Sequence, residues 1–307
     1  MDALRIATRR SPLALWQARW VAERLERQHP GLETRLVEMI TTGDRIQDRP
    51  LATAGGKGLF LKELEQGLIA GEADIAVHSM KDVTVNVPDG LCIPVVCKRE
   101  DPRDAYISNR YDSLDEMPDG AIVGTSSLRR QTQVKHRYPH LNVVTLRGNV
   151  NTRLARLDNG DFDAILLAVA GLIRLEMEDR IRQRIDPGSL LPAVGQGVMG
   201  IECRGDDRRA RDLIQYLNDP ESEIAVTAER RVNATLEGGC QVPIAAYADK
   251  VGPNRLRLRA LVGTPDGSVL LTAEDTDNPS QADPLGRRVA QSLIDQGAKR
   301  ILDSVYG

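Results

Sequence analysis

Leu4-Arg5-Ile6-Ala7-Thr8-Arg9-Arg10-Ser11-Pro12-Leu13-Ala14-Leu15-Trp16 sets the fold class. Leu4 to Thr8 alternates in polarity, as a half-buried strand does. Ser11 and Pro12 then have the chemistry of a helix start: a hydroxyl to cap free N–H groups, and a ring whose missing N–H is not needed at the first helical position. Leu13, Trp16, Trp20 and Val21 recur at helical spacing to about Gln28, and Pro30-Gly31 stops the run. Thr34 to Ile40 reads as a second strand. Strand, helix, strand is the βαβ unit, which implies a parallel sheet with a right-handed crossover. Arg9 falls at the carboxyl end of the first strand, the edge where open α/β sheets bind ligands.

The next stretches extend this pattern. Leu59 to Ala70 reads as a helix with Leu61, Leu64 and Leu68 on one face and Gly71 as its stop. Asp74 to Val77 is a short buried strand that runs into His78-Ser79-Met80-Lys81-Asp82-Val83. Ser, Lys and Asp cluster there at a strand's carboxyl end, although a helix cap with a surface ion pair would use the same residue types. His78, inside the apolar run, reads as a core histidine rather than a catalyst. Gly55-Gly56-Lys57-Gly58 lacks the Walker spacing and its Ser/Thr, which excludes a nucleotide site there.

Lys98 to Asp104 is a charged, proline-containing break, after which a new α/β pattern begins. Its strands, 121–124, 141–145 and 163–169, each run into arginine. The first meets Thr125-Ser126-Ser127-Leu128-Arg129-Arg130, the second Leu146-Arg147-Gly148-Asn149 and then Arg153, the third Ala170-Gly171-Leu172-Ile173-Arg174. Adjacent cations at a helix N-terminus oppose the helix dipole, so Arg129 and Arg130 point to a ligand, and free N–H groups with hydroxyls make the same turn an anion site. Leu191 to Gly197 is a second hinge-like stretch. Val198 to Cys203 (strand) and Asp206 to Leu217 (helix) then read as a return to the first domain. Glu223 to Leu236 is a helix that delivers Glu237-Gly238-Gly239-Cys240, followed by a hairpin around Pro265-Asp266-Gly267 and a closing helix stopped by Gly297. The expected division is 1–98 with 198–217 as one α/β domain, 103–192 as a second, and 220–307 as a small α+β domain.

Composition narrows the chemistry. The chain has 307 residues, a net charge of −3 and only 3% aromatics, which argues for aliphatic cores and against a nucleic-acid protein. Of 41 cations, 34 are Arg and 7 are Lys, so planar forks suited to carboxylate or phosphate dominate. Cys92, Cys97, Cys203 and Cys240 form no C-x-x-C pair and no zinc pattern, so no metal site is expected. The chain opens without a signal peptide, and no apolar run approaches the ~20 residues a bilayer requires. A cytoplasmic, thiol-reduced chain follows, and the lack of an obvious apolar docking helix argues for a monomer. Each charge-assisted contact contributes about 1.5–3 kcal/mol, so six arginines exceed the need of a single anion. A multiply carboxylated, extended ligand fits better.

Six blocks in order resemble the porphobilinogen deaminase family, and they span essentially the whole chain. They are Ile6-Ala7-Thr8-Arg9 with Ser11-Pro12-Leu13-Ala14, Gly56-Lys57-Gly58-Leu59-Phe60, His78 to Asp82, Gly124 to Arg130, Leu146 to Asn149, and Glu237 to Cys240. The resemblance implies three domains, the first two like periplasmic binding proteins and the first discontinuous. It implies a dipyrromethane cofactor joined by a thioether to Cys240, and condensation of four porphobilinogens head to tail with loss of ammonia. It further implies Asp82 as the catalytic carboxylate, with Ser79, Lys81, Asp82, Ser127, Arg129 and Arg130 on the cofactor. Arg9, Lys57, Arg147, Arg153 and Arg174 would take substrate carboxylates. Two positions depart from many members: Thr53, where some have lysine, and Thr84, where many have proline. A non-enzymatic anion-binding module is the main rival reading. A cysteine hydrolase is the other, but His29, His78, His136 and His140 offer Cys240 no recognisable partner motif.

Overall fold

A computed structural model describes residues 3–45, 58–238 and 242–306. They form two compact units, 1–100 with 198–223 and 101–197 with 224–307. In chain order the elements of the first unit are β1 (Leu4–Arg9), α1 (Pro12–Gln28), β2 (Thr34–Met39), α2 (Thr42–Arg45), α3 (Lys62–Ile69), β3 (Ile75–Ser79) and β4 (Leu91–Val96). The second unit begins with β5 (Asp104–Ile107), β6 (Ile122–Gly124), α4 (Leu128–Arg137), β7 (Asn142–Val144), α5 (Val150–Asp158), β8 (Ala164–Ala168), α6 (Val169–Arg174) and β9 (Gln183–Ile185). The chain then returns to the first unit as β10 (Met199–Arg204) and α7 (Arg208–Ile214), and the division falls within α8 (Pro220–Thr235). It ends as β11 (Ile244–Gly252), β12 (Arg255–Gly263), β13 (Leu270–Asp277), α9 (Ala282–Asp295) and α10 (Ala298–Tyr306).

The first sheet runs β2-β1-β3-β10-β4. Its opening follows the local chemistry: Ser11 Oγ accepts the Ala14 N–H and Pro12 is the first helical residue. Leu4 and Ile6 face α1 through Ala18, Val21 and Leu25, while Ala7 and Ala76 face α3 through Leu64 and Leu68. The sheet is not parallel throughout, as the βαβ opening alone implies. β1, β2 and β3 are parallel, but β10 runs antiparallel to both β3 and β4. The cause is the insertion. The chain re-enters at the carboxyl end of β3, where Met80 N donates to Val198 O at 2.9 Å. A strand that starts at that edge can only run back the other way.

The second sheet repeats the arrangement in the order β7-β6-β8-β5-β9. β6, β7 and β8 are parallel, and β5 is antiparallel to β8, so Asp104 at the start of β5 lies opposite Ala168 at the end of β8. β4, β5, β9, β11, α2, α6 and α10 escape the sequence reading. β5 is buried at every position and lies against the charged break. β4 contains Pro94, which an edge strand tolerates.

The C-terminal part is a three-stranded antiparallel sheet, β11-β12-β13, packed on helices. Leu258 and Val262 meet Val232, Leu285, Val289 and Leu293 in one aliphatic core. Glu229 of α8 is fully buried and accepts the Gly195 N–H at 2.7 Å and the Ala248 N–H at 2.8 Å. The β12–β13 turn docks on α4, where Gln131 Nε2 and Thr132 Oγ1 each donate at 2.9 Å to Pro265 O and Thr264 O.

Candidate active site

In the first unit, the predicted residues gather at the carboxyl ends of β1 and β3, which are parallel neighbours. Arg9 closes β1 and its guanidinium sits 4.1 Å from the centre of the Phe60 ring. Ser79 closes β3. Met80, Lys81 and Asp82 then form a single 3-10 turn, with Met80 buried and Lys81 and Asp82 half-buried. Met80 lies over Gly200, where any Cβ would overlap its sulfur, so the turn is seated on β10. Thr84, one of the two departures, donates from Oγ1 to Asn86 O at 2.7 Å and ties off the following loop.

Two residues beneath this turn were not singled out in the sequence. Gln17 is buried on α1, and its Nε2 donates to Ser79 Oγ at 2.9 Å. Its signal was a glutamine within the apolar stripe Ala14, Ala18, Val21 and Leu25. Glu202 of β10 meets His78, with Nε2 and Oε2 2.8 Å apart and both side chains buried. His78 is thus a satisfied core histidine, as its apolar setting implies.

In the second unit, the predicted residues follow β6, β7 and β8. Ser127 caps α4, its Oγ accepting the Arg130 N–H at 3.4 Å. Arg129 and Arg130 turn inward and are almost fully buried. Between them lies Asp104, fully buried. Arg129 Nη1 and Nη2 donate to its two oxygens at 2.8 and 3.1 Å, and Arg130 Nε and Nη2 donate to Oδ1 at 3.0 and 2.7 Å. Gln196 Nε2 adds a bond to Oδ1 at 2.9 Å and another to Pro102 O at 2.6 Å. Burial opposes ionisation of Asp104, but the two guanidiniums hold its carboxyl well below the usual carboxylate range. The unfavourable dipole at α4 therefore has a local counter-charge that the linear sequence does not reveal.

That counter-charge is incomplete. Two cations surround one carboxylate, and the buried Arg129 Nε–H has no hydrogen-bond partner among the described residues. Arg129 also donates to Leu191 O at 2.6 Å, and Arg174 donates to Gly197 O at 2.7 Å, so both hold the second hinge-like stretch. Arg147 follows buried Leu146, and burial lowers its guanidinium. Arg153 donates from Nε to Gly148 O at 2.8 Å. Lys57, Thr53 and Cys240 lie outside the described residues.

Each of the two five-stranded sheets thus carries arginine at or just beyond the carboxyl edge of its parallel strands, and the first adds the Lys81–Asp82 turn. This is the class of α/β proteins with a discontinuous first unit and a small C-terminal three-stranded sheet packed on helices. Residues 4–212 match the family model "porphobilinogen deaminase, dipyromethane cofactor binding domain", and residues 223–295 match "porphobilinogen deaminase, C-terminal domain". The chain belongs to the porphobilinogen deaminase family. Its activity is that of a hydroxymethylbilane synthase, a transferase of tetrapyrrole biosynthesis with porphobilinogen as substrate and a dipyrromethane cofactor.

The solved structures to which the chain is similar are more distant. A putative methionine-binding lipoprotein from Bacillus subtilis is 12% identical, with 72% of this chain and 92% of that one covered and a TM-score of 0.43. The substrate-binding domain of a putative molybdenum ABC transporter from Clostridium difficile is 12% identical, covering 72% and 93%, with a TM-score of 0.44. The periplasmic aliphatic sulphonate binding protein SsuA from Escherichia coli is 13% identical, covering 77% and 71%, with a TM-score of 0.41. Among the described residues, no helix is long and apolar enough to cross a membrane.

Proposed function

We propose that the chain joins four porphobilinogens head to tail onto a dipyrromethane held as a thioether by Cys240, with Asp82 as the catalytic carboxylate. Ammonia leaves at each addition, and water finally frees hydroxymethylbilane. The observation that carries the binding assignment is the Arg129–Arg130–Asp104 cluster, with its excess positive charge and its unpartnered Arg129 Nε–H. Such a cluster is suited to an anionic group, and a dipyrromethane bears an acetate and a propionate on each ring. When bound, it supplies the terminal pyrrole to which the first substrate ring is joined.

The residue roles follow from position and charge. Ser127, Arg129 and Arg130 hold carboxylates of the cofactor, with Ser79, Lys81 and Asp82 contributing from the β3 edge. Arg9, Lys57, Arg147, Arg153 and Arg174 take carboxylates of the incoming ring. Asp82 accepts pyrrole N–H bonds and stabilises the cation that develops on the substrate as ammonia departs. The same carboxylate is placed to take and return protons as the new bond forms. Gln17 fixes the direction of the Ser79 hydroxyl.

The division into 1–98 with 198–217, 103–192 and 220–307 is part of this proposal, as are a monomeric state, a cytoplasmic location and no nucleic-acid partner. Intact mass of the purified chain beside Cys240→Ser tests the attachment. An excess equal to two linked pyrroles is expected in the native chain alone. A native chain that stays unmodified after incubation with porphobilinogen would leave the non-enzymatic anion-binding module ahead.

A further inference from the structure

Cys92 and Cys203 face each other across two antiparallel strands, and the reaction uses neither. Cys92 lies on β4, the edge strand, and Cys203 is its direct register partner on β10. Their sulfurs are 3.9 Å apart, with Cys92 half-buried and Cys203 buried. We propose that this pair is an oxidation site that closes to an intramolecular disulfide when a hydroperoxide reaches Cys92.

The backbone is already suited to the bond. Directly opposed residues of an antiparallel pair have Cα atoms about 4.5–5.5 Å apart, within the ~4.4–6.8 Å that disulfides span. The ladder shifts register between Ile201 and Cys203, but Cys203 and Cys92 themselves are paired, and closure must bring their sulfurs from 3.9 Å to the ~2.05 Å of an S–S bond by side-chain rotation. Cys97, the remaining described cysteine, lies past the end of β4 and donates its N–H to Met199 O, so it is not in register to compete.

The two thiols have different parts. Cys203 is buried, and burial with Cys92 alongside pushes its thiol up to about 12, which makes it a poor first nucleophile. Cys92 has the access. Its thiolate attacks one peroxide oxygen, the O–O bond breaks, and the departing hydroxide takes a proton to become water. The product is a sulfenic acid on Cys92. The Cys203 sulfur then attacks the Cys92 sulfur, and the S–O bond breaks. The oxygen leaves as a second water carrying the Cys203 thiol proton. Two thiols and one hydrogen peroxide thus give one disulfide and two waters.

Position within the sheet sets the consequence. β10 pairs Met199 with Ser79 and Cys203 with Ile75. The thiols therefore sit four residues, or ~13 Å, from the edge that carries Ser79 and the Asp82 turn. The disulfide leaves that edge untouched. The two cysteines are 111 positions apart, and the closed loop contains all of residues 101–197. A cross-link closing so long a loop removes much of the unfolded chain's freedom. Oxidation is a staple that stabilises the fold while turnover continues.

The test treats the full-length, cofactor-loaded protein with a small excess of hydrogen peroxide and digests it without reduction. A Cys92–Cys203 linked peptide is expected, with a Tm higher by ~5–15 °C. Turnover should stay within twofold, and dithiothreitol should reverse the change. Cys92 recovered as a sulfinic or sulfonic acid with Cys203 still free overturns the proposal. So does a linkage through Cys97 or Cys240. A linked pair that stops turnover overturns its placement away from the reaction. Cys92→Ser, treated identically, must show no rise in Tm.

Discussion

Replacing Asp104 with Asn tests how the arginine edge is held. Asp104 is fully buried and accepts two bonds from Arg129, two from Arg130 and one from Gln196. Asn keeps the volume and one acceptor oxygen but turns an amide N–H2 toward a guanidinium. Two buried cations then lose their only counter-ion within the cluster. Removing one partner of a buried pair costs about 3–5 kcal/mol, so Asp104→Asn should lower Tm by roughly 6–15 °C at pH 7. The pH dependence separates charge from packing. The folded Asp104 carboxyl is held below its ordinary value of 3.8. Its contribution is therefore complete above about pH 4 and fades as pH falls toward the folded value. Calorimetric melts of both proteins from pH 3 to 8 should show the gap closing only at the acid end. A gap under about 2 °C at pH 7, or one unchanged down to pH 3, would refute the assignment.

Asp82→Ala should leave Tm within about 2 °C and reduce kcat by ~10²-fold or more, measured as tetrapyrrole release at saturating porphobilinogen. Near-normal kcat would remove Asp82 from the reaction. Arg147→Ala should raise KM for porphobilinogen by ~10-fold or more at unchanged Tm, since a charge-assisted contact is lost. A parallel fall in Tm would make the residue structural. Tyr106 is fully buried with Ser108 beside its hydroxyl, and burial pushes that hydroxyl up to about 12. Tyr106→Phe tests the contact: a Tm within about 2 °C of the native chain is expected if the Ser108 contact adds little, and a clear fall would show a hydrogen bond of full strength.

Much of this was legible because local chemistry and tertiary structure agree. Ser11-Pro12 and Ser127 announced helix starts that the fold keeps, and arginines after β6, β7 and β8 marked one sheet edge. What stayed hidden was contributed by strands distant in sequence. Nothing near Arg129 in the chain indicates that Asp104, 25 positions earlier, lies against it. β5 is four residues long and buried throughout, so it shows no alternation beside the charged break. Gln17 carried a readable sign, a polar residue in an apolar stripe, but its partner Ser79 is 62 positions away. Pattern reading finds the elements whose own periodicity or caps announce them. It does not find which of two distant elements supplies a counter-charge.

The discontinuity of the chain explains why the crossings and the ligand edges share residues. In each unit, the strand next to the parallel set enters at the carboxyl edge and runs backward: β10 beside β3, β5 beside β8. The first residues after each crossing then lie beside the residues proposed to bind ligand. Val198 holds Met80, at the head of the Asp82 turn. Asp104 holds Arg129 and Arg130, while Gln196, just before the return crossing, bonds both Asp104 and Pro102. Arg129 and Arg174 bond Leu191 and Gly197 in the same return segment. On the proposed function, a carboxylate taken by these guanidiniums would draw on donors that also fix the crossing segments. Substitutions in the stretches 101–104 and 191–197 should for that reason act on ligand affinity as well as on stability, although none of their side chains need touch the ligand.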